Sequence, residues 1–209
     1  MPETAWTVGW DQTPESLMRA LVSQLQNGGQ VAIGMPLVEV APSRHFTNSI
    51  AVLDSTGQIV SRYDKRHLVP FGEFIPQGFK WFVALMNIPL GEFGRGGNDQ
   101  PLLQVDGYRV AFNICYEDLF GEELAVQVRA GATVLINASN IGWFGRSHAL
   151  AQHLQIARMR TIELARPMLR ATNTGVTAAI DHQGKVFGQL PAHEFGSLLA
   201  EVRPTSGLT

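Results

Sequence analysis

The stretch Val110-Ala111-Phe112-Asn113-Ile114-Cys115-Tyr116-Glu117-Asp118 is an apolar run that ends in a cysteine and continues with polar and acidic residues. Such a run is typical of a buried strand that leaves the core at its carboxyl end. In α/β folds a nucleophile is commonly presented at this kind of strand-to-helix turn. The pattern therefore predicts that Cys115, the only cysteine in the chain, lies where a core strand ends.

The alternative for Cys115 is a structural role, since free cysteines are often buried and behave as small hydrophobic residues. The polar residues that follow it favour a reactive thiol. The thiolate is the reactive form, and near neutral pH it needs a base or a positive neighbour. Two segments carry such residues: Pro2-Glu3-Thr4-Ala5 and Tyr63-Asp64-Lys65-Arg66-His67-Leu68-Val69-Pro70-Phe71-Gly72-Glu73-Phe74. Cysteine, glutamate and lysine together suggest acyl transfer through a thioester, in which the lysine helps to bind an oxyanion.

The composition narrows the class of protein. With 209 residues, 45% of them hydrophobic and 16% charged, we expect residues 1–209 to form one globular domain. The net charge of -2 gives no electrostatic reason to expect a nucleic-acid partner. A single cysteine excludes an internal disulfide, and His148 and His153 lack metalloprotease spacing, so no metal site is expected. No apolar segment is long enough to span a bilayer, so the chain as given is expected to be soluble.

Helical and strand patterns alternate through the first two-thirds of the chain. Helices are predicted between residues 13 and 27, at 118–130 and at 148–166. Strands are predicted at 30–34, 48–53, 59–63, 108–115, 133–137, 168–172, 176–181 and 185–190. This alternation, with its frequent hairpins, favours a layered α/β fold with a mixed sheet over a doubly wound parallel sheet.

The three segments that carry Glu3, Lys65 and Cys115 resemble the nitrilase (carbon–nitrogen hydrolase) superfamily, and within it the bacterial apolipoprotein N-acyltransferases. The block from His67 to Glu73 is the most specific part of the resemblance, whereas the glutamate, lysine and cysteine alone specify only the superfamily. Further matching segments are Trp143-Phe144-Gly145, Ala157-Arg158-Met159-Arg160, Glu163-Leu164-Ala165-Arg166-Pro167, Arg170-Ala171-Thr172-Asn173-Thr174-Gly175 and Pro204-Thr205-Ser206-Gly207-Leu208-Thr209. The resemblance covers essentially the whole chain.

The resemblance implies an α/β fold, a nitrilase-like α-β-β-α sandwich with mixed sheets, and a Glu-Lys-Cys triad. Carried over by position, Glu3 falls on the general base, Lys65 on the catalytic lysine and Cys115 on the nucleophile. Three further residues fall on family site positions, one beside the lysine and two beside the nucleophile: Glu73, Tyr116 and Glu117. No metal or organic cofactor is implied.

The family reaction implied by the resemblance is a ping-pong acyl transfer. The cysteine takes an acyl chain from a phospholipid as a thioester. The amino group of a diacylglyceryl-cysteine at a lipoprotein N-terminus then accepts it. The implied partners are a phospholipid donor, a lipoprotein acceptor and a membrane, and no nucleic acid. In the full-length family members the catalytic domain lies on the periplasmic side of the bacterial inner membrane.

The chain also departs from the family pattern. Family members carry a membrane-spanning region before this domain, and the domain begins with a strand and a helix ahead of Pro2-Glu3-Thr4. We therefore expect a truncated enzyme that lacks these elements. Two alternatives stay open, a stand-alone amidase of the same superfamily that acts on a small amide, and an inactive fragment.

The apolar segment 79–90 is too short to span a bilayer, and helical core packing is its simplest interpretation. In the family, the segment after the glutamate block covers the active site near the membrane. On this basis we hypothesise that four of its side chains help to admit lipid chains: Trp81, Phe82, Leu85 and Met86.

Overall fold

The computed structural model describes residues 1–25, 28–38, 46–76, 93–105 and 107–207. The first sheet contains β1 (Val31–Val38), β2 (Phe46–Leu53), β3 (Ile59–Asp64) and β4 (Phe93–Gly94). The second contains β5 (Leu103–Val105), β6 (Tyr108–Ile114), β7 (Val134–Ser139), β8 (Met168–Thr172), β9 (Thr177–Ile180) and β10 (Val186–Leu190). The α-helices are α1 (Glu15–Val22), α2 (Gly121–Arg129) and α3 (Ala149–Leu164), and short 3₁₀ helices form at Trp10–Gln12, Cys115–Leu119 and Gly142–Phe144.

Both sheets are mixed, as the hairpin-rich pattern predicted. In the first sheet β1, β2 and β3 are antiparallel neighbours, and β4 pairs with β2 in parallel. In the second sheet the order is β10-β9-β8-β7-β6-β5. Its central strands β6, β7 and β8 are parallel, and the pairs toward both edges are antiparallel. The carboxyl ends of the parallel strands therefore meet at one edge of the second sheet.

Among the described residues, three apolar clusters lie between four layers. Alternate side chains of β2 face opposite sides of the first sheet, because successive residues of a strand point to opposite faces. Ile33, Met35, Ala51 and Leu53 pack against Leu21 of α1 and against Trp6 and Trp10. Ile50 and Val52 pack across the sheet interface against Val110, Phe112 and Ile114 of β6. Ala111, Leu135 and Met168 pack against Leu124 of α2 and Ala157 of α3. This order is the α-β-β-α sandwich predicted from the sequence.

Two predicted boundaries differ from the structure for identifiable reasons. The strand predicted at 30–34 continues to Val38 through Pro36. A proline is tolerated there because β1 is the last strand of its sheet. The helix predicted at 118–130 is two helices, a 3₁₀ turn at Cys115–Leu119 and then α2, with Phe120 outside helical geometry between them.

Within the described ranges, none of the helices combines the length and the apolar character that crossing a membrane requires. The hypothesis on Trp81, Phe82, Leu85 and Met86 concerns segment 79–90, which lies outside the described residues.

Candidate active site

Cys115 lies on a sharp turn directly after β6. Its φ of 56° is in the left-handed region, which non-glycine residues adopt at a cost of about 1–2 kcal/mol. The preceding residue, Ile114, is still extended, so the chain changes direction at the cysteine itself. Asn137 on the neighbouring strand β7 donates from Nδ2 to the carbonyl oxygen of Cys115 at 3.0 Å. The structure therefore places the thiol at the end of a core strand, as predicted.

Glu117 fastens this turn to the loop that carries the lysine. Its Oε2 accepts the N–H of Ile114 at 2.7 Å and the hydroxyl of Tyr63 at 3.0 Å. Its Oε1 accepts the N–H groups of Arg66 at 2.7 Å and His67 at 3.0 Å. Burial raises the pKa of Glu117, and the three backbone N–H groups oppose that shift. Glu117 is therefore a structural anchor behind the nucleophile.

Lys65 is almost completely buried, with 1% of its surface exposed. Its Nζ lies 3.0 Å from Oε1 of Glu3 and 3.0 Å from Oε1 of Glu73. Asn48 donates from Nδ2 to the same two oxygens, at 2.6 Å to Glu3 and 2.5 Å to Glu73. Burial alone would lower the pKa of Lys65, but the two carboxylates outweigh it and hold that pKa above its ordinary value. Lys65 is thus a fixed, charged ammonium group.

Glu3 is held firmly although it lies near the chain terminus, where residues are usually frayed. Its Oε2 accepts the N–H of Asn140 at 2.6 Å, and only 6% of its surface is exposed. The segment around Glu3 runs close against Gly34 of β1, whose carbonyl oxygen accepts the N–H of Trp6 at 3.0 Å. A Cβ at Gly34 would lie 2.6 Å from Cα of Glu3 and 2.8 Å from N of Thr4. The glycine is what allows this close approach.

Glu73 is positioned by a tight turn that begins at Val69. The N–H of Glu73 donates to the carbonyl oxygen of Val69 at 2.8 Å, and Oε2 of Glu73 accepts the N–H of Val69 at 2.8 Å. Phe71 at the tip of the turn has a φ of 60°. The sequence block from His67 to Glu73 therefore forms a loop that places the carboxylate of Glu73 next to Lys65.

These side chains meet at a cavity of about 760 Å³. Glu3, Lys65, Glu73, Cys115 and Tyr116 all line it, so the structure brings together five of the six predicted site residues. The sixth, Glu117, supports the site from behind. The apolar side chains of the remaining wall are Val69, Pro70, Phe71, Phe93, Leu119, Trp143, Phe144, Ala149 and Ile156, and its other members are Thr4, Asn48, Gly72, Asn140, Gln152 and His153. Trp143 stands at the mouth with 87% of its surface exposed. An apolar cavity with a few convergent polar groups is typical of a small-molecule or lipid site.

The thiol of Cys115 is protonated at neutral pH in this environment. Burial, and then the negative charge of Glu3, raise the pKa of Cys115 to about 12. Lys65 and the backbone N–H of Tyr116 act in the opposite direction. A nucleophilic attack by this sulfur therefore requires a base that removes the proton as the attack proceeds, and Glu3 is adjacent.

Tyr116 is fixed next to the sulfur. Its hydroxyl donates to the carbonyl oxygen of Leu68 at 2.9 Å, and its ring centroid lies 5.6 Å from Nζ of Lys65. This holds the residue after the nucleophile, whose backbone N–H is directed at the sulfur region. The N–H and the Lys65 ammonium are suitable donors for an oxyanion.

Sequence reasoning missed a row of buried polar residues beneath the turn. Asn113, Asn137 and Arg170 occupy matching positions on β6, β7 and β8. Asn137 donates to Asn113 Oδ1 at 2.5 Å, and Arg170 Nη1 donates to Asn137 Oδ1 at 3.0 Å. Arg170 Nη1 also donates to Asp118 Oδ2 at 3.2 Å. The signal was available, because each is a polar residue inside an otherwise apolar strand.

Residues 1–207 match the model of the carbon–nitrogen hydrolase family, and the chain belongs to that family. Its fold and the placement of Cys115, Lys65 and Glu3 around one cavity agree with this membership.

Curated relatives point to a particular enzyme within the family. The chain is 47% identical over 227 residues to an apolipoprotein N-acyltransferase of Bordetella bronchiseptica, with 100% of the chain and 42% of the relative covered. The corresponding enzyme of Ralstonia nicotianae is 49% identical over 212 residues, with 100% of the chain and 40% of the relative covered. That of Verminephrobacter eiseniae is 50% identical over 206 residues, with 96% and 38% covered. The chain thus spans about two-fifths of the length of these relatives.

Solved structures share the fold. A carbon–nitrogen hydrolase from Helicobacter pylori superposes with a TM-score of 0.65 at 18% identity, covering 90% of this chain and 65% of that one. The NitFhit protein of Caenorhabditis elegans superposes with a TM-score of 0.67 at 21% identity, covering 87% and 44%. At these identities the similarity concerns the fold alone.

Proposed function

We propose that this chain is the catalytic part of an apolipoprotein N-acyltransferase, which moves a fatty acyl chain through a thioester on Cys115 to an amino group. The observation that carries the proposal is the convergence of Glu3, Lys65 and Cys115 on one cavity with a largely apolar wall. The names of relatives that are 47–50% identical support the same activity.

In the first half-reaction Cys115 attacks the ester carbonyl carbon of a phospholipid. Glu3 accepts the thiol proton, because the pKa of about 12 leaves almost no thiolate at neutral pH. Lys65 and the N–H of Tyr116 stabilise the oxyanion of the tetrahedral intermediate. Glu3 then returns the proton to the departing lysophospholipid oxygen, and a Cys115 thioester remains.

Glu73 acts in this scheme through Lys65. It holds the ammonium group of Lys65 at 3.0 Å and so keeps that group in position to bind the oxyanion. Glu117 keeps the nucleophile turn and the lysine loop together through its four accepted hydrogen bonds. Both are positioning residues.

In the second half-reaction the amino group of a diacylglyceryl-cysteine at a lipoprotein N-terminus attacks the thioester. An amide forms and the sulfur leaves. Both substrates carry long acyl chains, so the apolar wall around Cys115 suits them. In this proposal the whole protein works at a membrane, with this part on the periplasmic side of the bacterial inner membrane, as the family resemblance implies.

Mass spectrometry of the intact chain tests the proposal. After incubation with phosphatidylethanolamine in detergent micelles, we expect a mass increase of one acyl group that hydroxylamine removes. Cys115→Ala should show no adduct, and Glu3→Gln should form it about 100-fold more slowly or worse. A folded wild-type chain that forms no adduct contradicts the proposal.

The same preparation separates the acyltransferase from the amidase alternative. Release of ammonia from small aliphatic amides, without acyl-enzyme formation from phospholipid, would identify an amidase. Neither reaction in a folded chain would identify an inactive fragment.

A further inference from the structure

A histidine that the scheme above does not use also faces the cavity. His153 lies on α3 and lines the cavity with Ala149, Gln152 and Ile156, which recur at helical spacing on the same face. It is 93% buried, with 7% of its surface exposed. Its Nδ1 lies 3.3 Å from Oδ2 of Asp118. Because Nδ1 is turned to Asp118, Nε2 is the ring nitrogen available to the cavity.

Asp118 is suited to orient this histidine. It is completely buried at the foot of the Cys115 turn, and Arg170 Nη1 lies 3.2 Å from the same Oδ2. Arg170 balances the charge of Asp118, so the histidine adjoins a compensated pair. In a neutral imidazole whose Nδ1–H faces a carboxylate, Nε2 carries the lone pair and accepts protons.

Some polar atoms of the cluster formed by His153, Asp118 and Arg170 do not make hydrogen bonds. Among the described residues, His153 Nδ1, Asp118 Oδ1 and Arg170 Nη2 are buried without a hydrogen-bond partner. Buried polar atoms are normally satisfied, and a catalytic role is one of the reasons for an exception. The approach of His153 Nδ1 to Asp118 Oδ2 at 3.3 Å is a contact that a small ring movement converts into a hydrogen bond.

The second half-reaction needs more than one proton acceptor. A primary ammonium group loses two protons as it becomes an amide N–H. One of them restores the thiol of Cys115, and the other must leave the site. Glu3, with its single carboxylate, holds one proton at a time.

We propose that His153, oriented by Asp118 and Arg170, is the base that takes the first proton from the incoming ammonium group. This inference rests on the proposed function and adds a residue to its second half. The cationic acceptor enters the cavity, and its proton passes to Nε2 of His153 and then to solvent. The neutral nitrogen attacks the thioester carbon, and a C–N bond forms.

The rest of the step balances without an outside reagent. As the C–S bond breaks, the bonding electron pair stays on the sulfur, next to Lys65. Glu3 accepts the second proton from nitrogen and passes it to the sulfur, which restores the thiol. The products are an amide, the free enzyme and one proton released through His153.

Other charged groups also face the space in which His153 acts. Asp118 follows β6 and Arg170 lies on β8, both in direct contact with the histidine cluster. Across the cavity stand Glu3, Lys65, Glu73 and Cys115. A pH profile must therefore be compared between variants and not assigned from the wild type alone.

Separate measurement of the two half-reactions tests the inference. The acyl-enzyme is formed from phosphatidylethanolamine, and its decay is followed with either a synthetic diacylglyceryl-cysteinyl peptide or hydroxylamine. The α-amino group of the peptide is mostly an ammonium ion at pH 7, with about a tenth of it neutral, whereas the nitrogen of hydroxylamine is already largely neutral. For His153→Gln only that neutral tenth can react directly, so we expect decay with the peptide to be about 10-fold slower, with acylation and hydroxylamine decay within about 3-fold of wild type.

Matched controls keep the inference falsifiable. His148→Gln changes an exposed histidine at the start of the same helix and should leave both half-reactions unchanged. Raising the pH to 9 should restore much of the His153→Gln rate with the peptide, because more acceptor is already neutral. Equal slowing with peptide and hydroxylamine, or no pH rescue, would overturn the role of His153 while acyl-enzyme formation still supported the proposed function. A wild-type chain that forms no acyl-enzyme would overturn both.

Discussion

Two buried carboxylate sets flank the candidate nucleophile, and they differ in how completely they are satisfied. Around Lys65, each oxygen of Glu3 and Glu73 accepts at least one hydrogen bond, from Lys65, Asn48 or a backbone N–H. Around Arg170, Asp118 Oδ2 contacts both Arg170 Nη1 and His153 Nδ1, while Oδ1 has no partner among the described residues.

The difference indicates two kinds of task. A fully satisfied set is rigid and holds its charges in fixed positions, which suits stabilisation of a transition-state charge. A set with unused capacity can change partners, which suits proton transfer. The two sets also come from different sheets. Asn48 lies in the first sheet and Lys65 in the loop after it, whereas Arg170 lies in the second sheet and Asp118 in the 3₁₀ helix that follows β6.

The largest effect that we expect in this comparison comes from Lys65→Met. It removes the proposed oxyanion donor and leaves two buried carboxylates uncompensated, so acyl-enzyme formation should fall about 10³-fold. The free energy of unfolding should fall by about 3–5 kcal/mol. Quenched-flow mass spectrometry and urea denaturation measure the two effects.

Arg170→Met is the counterpart in the second set. It also removes a buried cation, so it should destabilise the fold, but we expect acyl-enzyme formation to stay within about 10-fold of wild type because Arg170 does not line the cavity. Comparable loss of acylation in both variants, with both folded by circular dichroism, would show that the two sets act as one.

Glu117 links the two sets, and its substitution has the next largest expected effect. Glu117→Gln replaces an acceptor of four hydrogen bonds by a group that places two N–H donors against existing donors. We expect a loss of about 2–3 kcal/mol in the free energy of unfolding, measured by urea denaturation. A loss below 0.5 kcal/mol would contradict the anchoring role.

The unfolding free energy of wild type, compared with that of Glu117→Gln, should depend on pH in a defined direction. Burial raises the pKa of Glu117 above its ordinary value of 4.5, so the folded protein binds this proton more tightly than the unfolded one. The stabilisation from the proton is complete below pH 4.5 and is lost as the pH rises through the folded-state pKa. The unfolding free energy of wild type minus that of Glu117→Gln should therefore fall as the pH rises through that window and be constant above it.

The sequence predicted the candidate site residues better than the residues that hold them in place. Cys115 was predictable because an apolar run stops at it, and Lys65 and Glu3 because their segments match a family pattern. The layered fold followed from the alternation of helices and strands. Asn48 was missed because it bonds carboxylates at the distant positions 3 and 73. Arg170 stands out as a polar residue in an apolar strand, but its partner Asp118 is distant in the chain and could not be predicted.

Position in the chain also misled local reasoning. A glutamate at position 3 reads as a frayed surface residue, and only the contact of its segment with Gly34 shows why it is buried. No local pattern in the sequence reports that contact, because it joins residues more than thirty positions apart. Likewise, the strand that continues through Pro36 depends on β1 lying at a sheet edge, which is a property of the assembled sheet.

The smallest predicted effect separates the ionisation of Cys115 from its catalytic use. After burial, the charge of Glu3 is the largest cause of the raised pKa of Cys115, whereas Asp118 contributes less. Glu3→Gln should therefore lower that pKa and speed alkylation by iodoacetamide several-fold at pH 8, although the same change removes the proposed base for acyl transfer. Asp118→Asn should speed alkylation by a smaller factor. Mass spectrometry of the alkylation rate as a function of pH measures the effect in both variants. Slower alkylation of Glu3→Gln than of wild type would mean that Glu3 already holds the thiol proton in the resting protein. In that case the carboxylates around Lys65 would share a proton with Cys115 before any substrate binds. The two sets would then differ in their protonation and not in their rigidity.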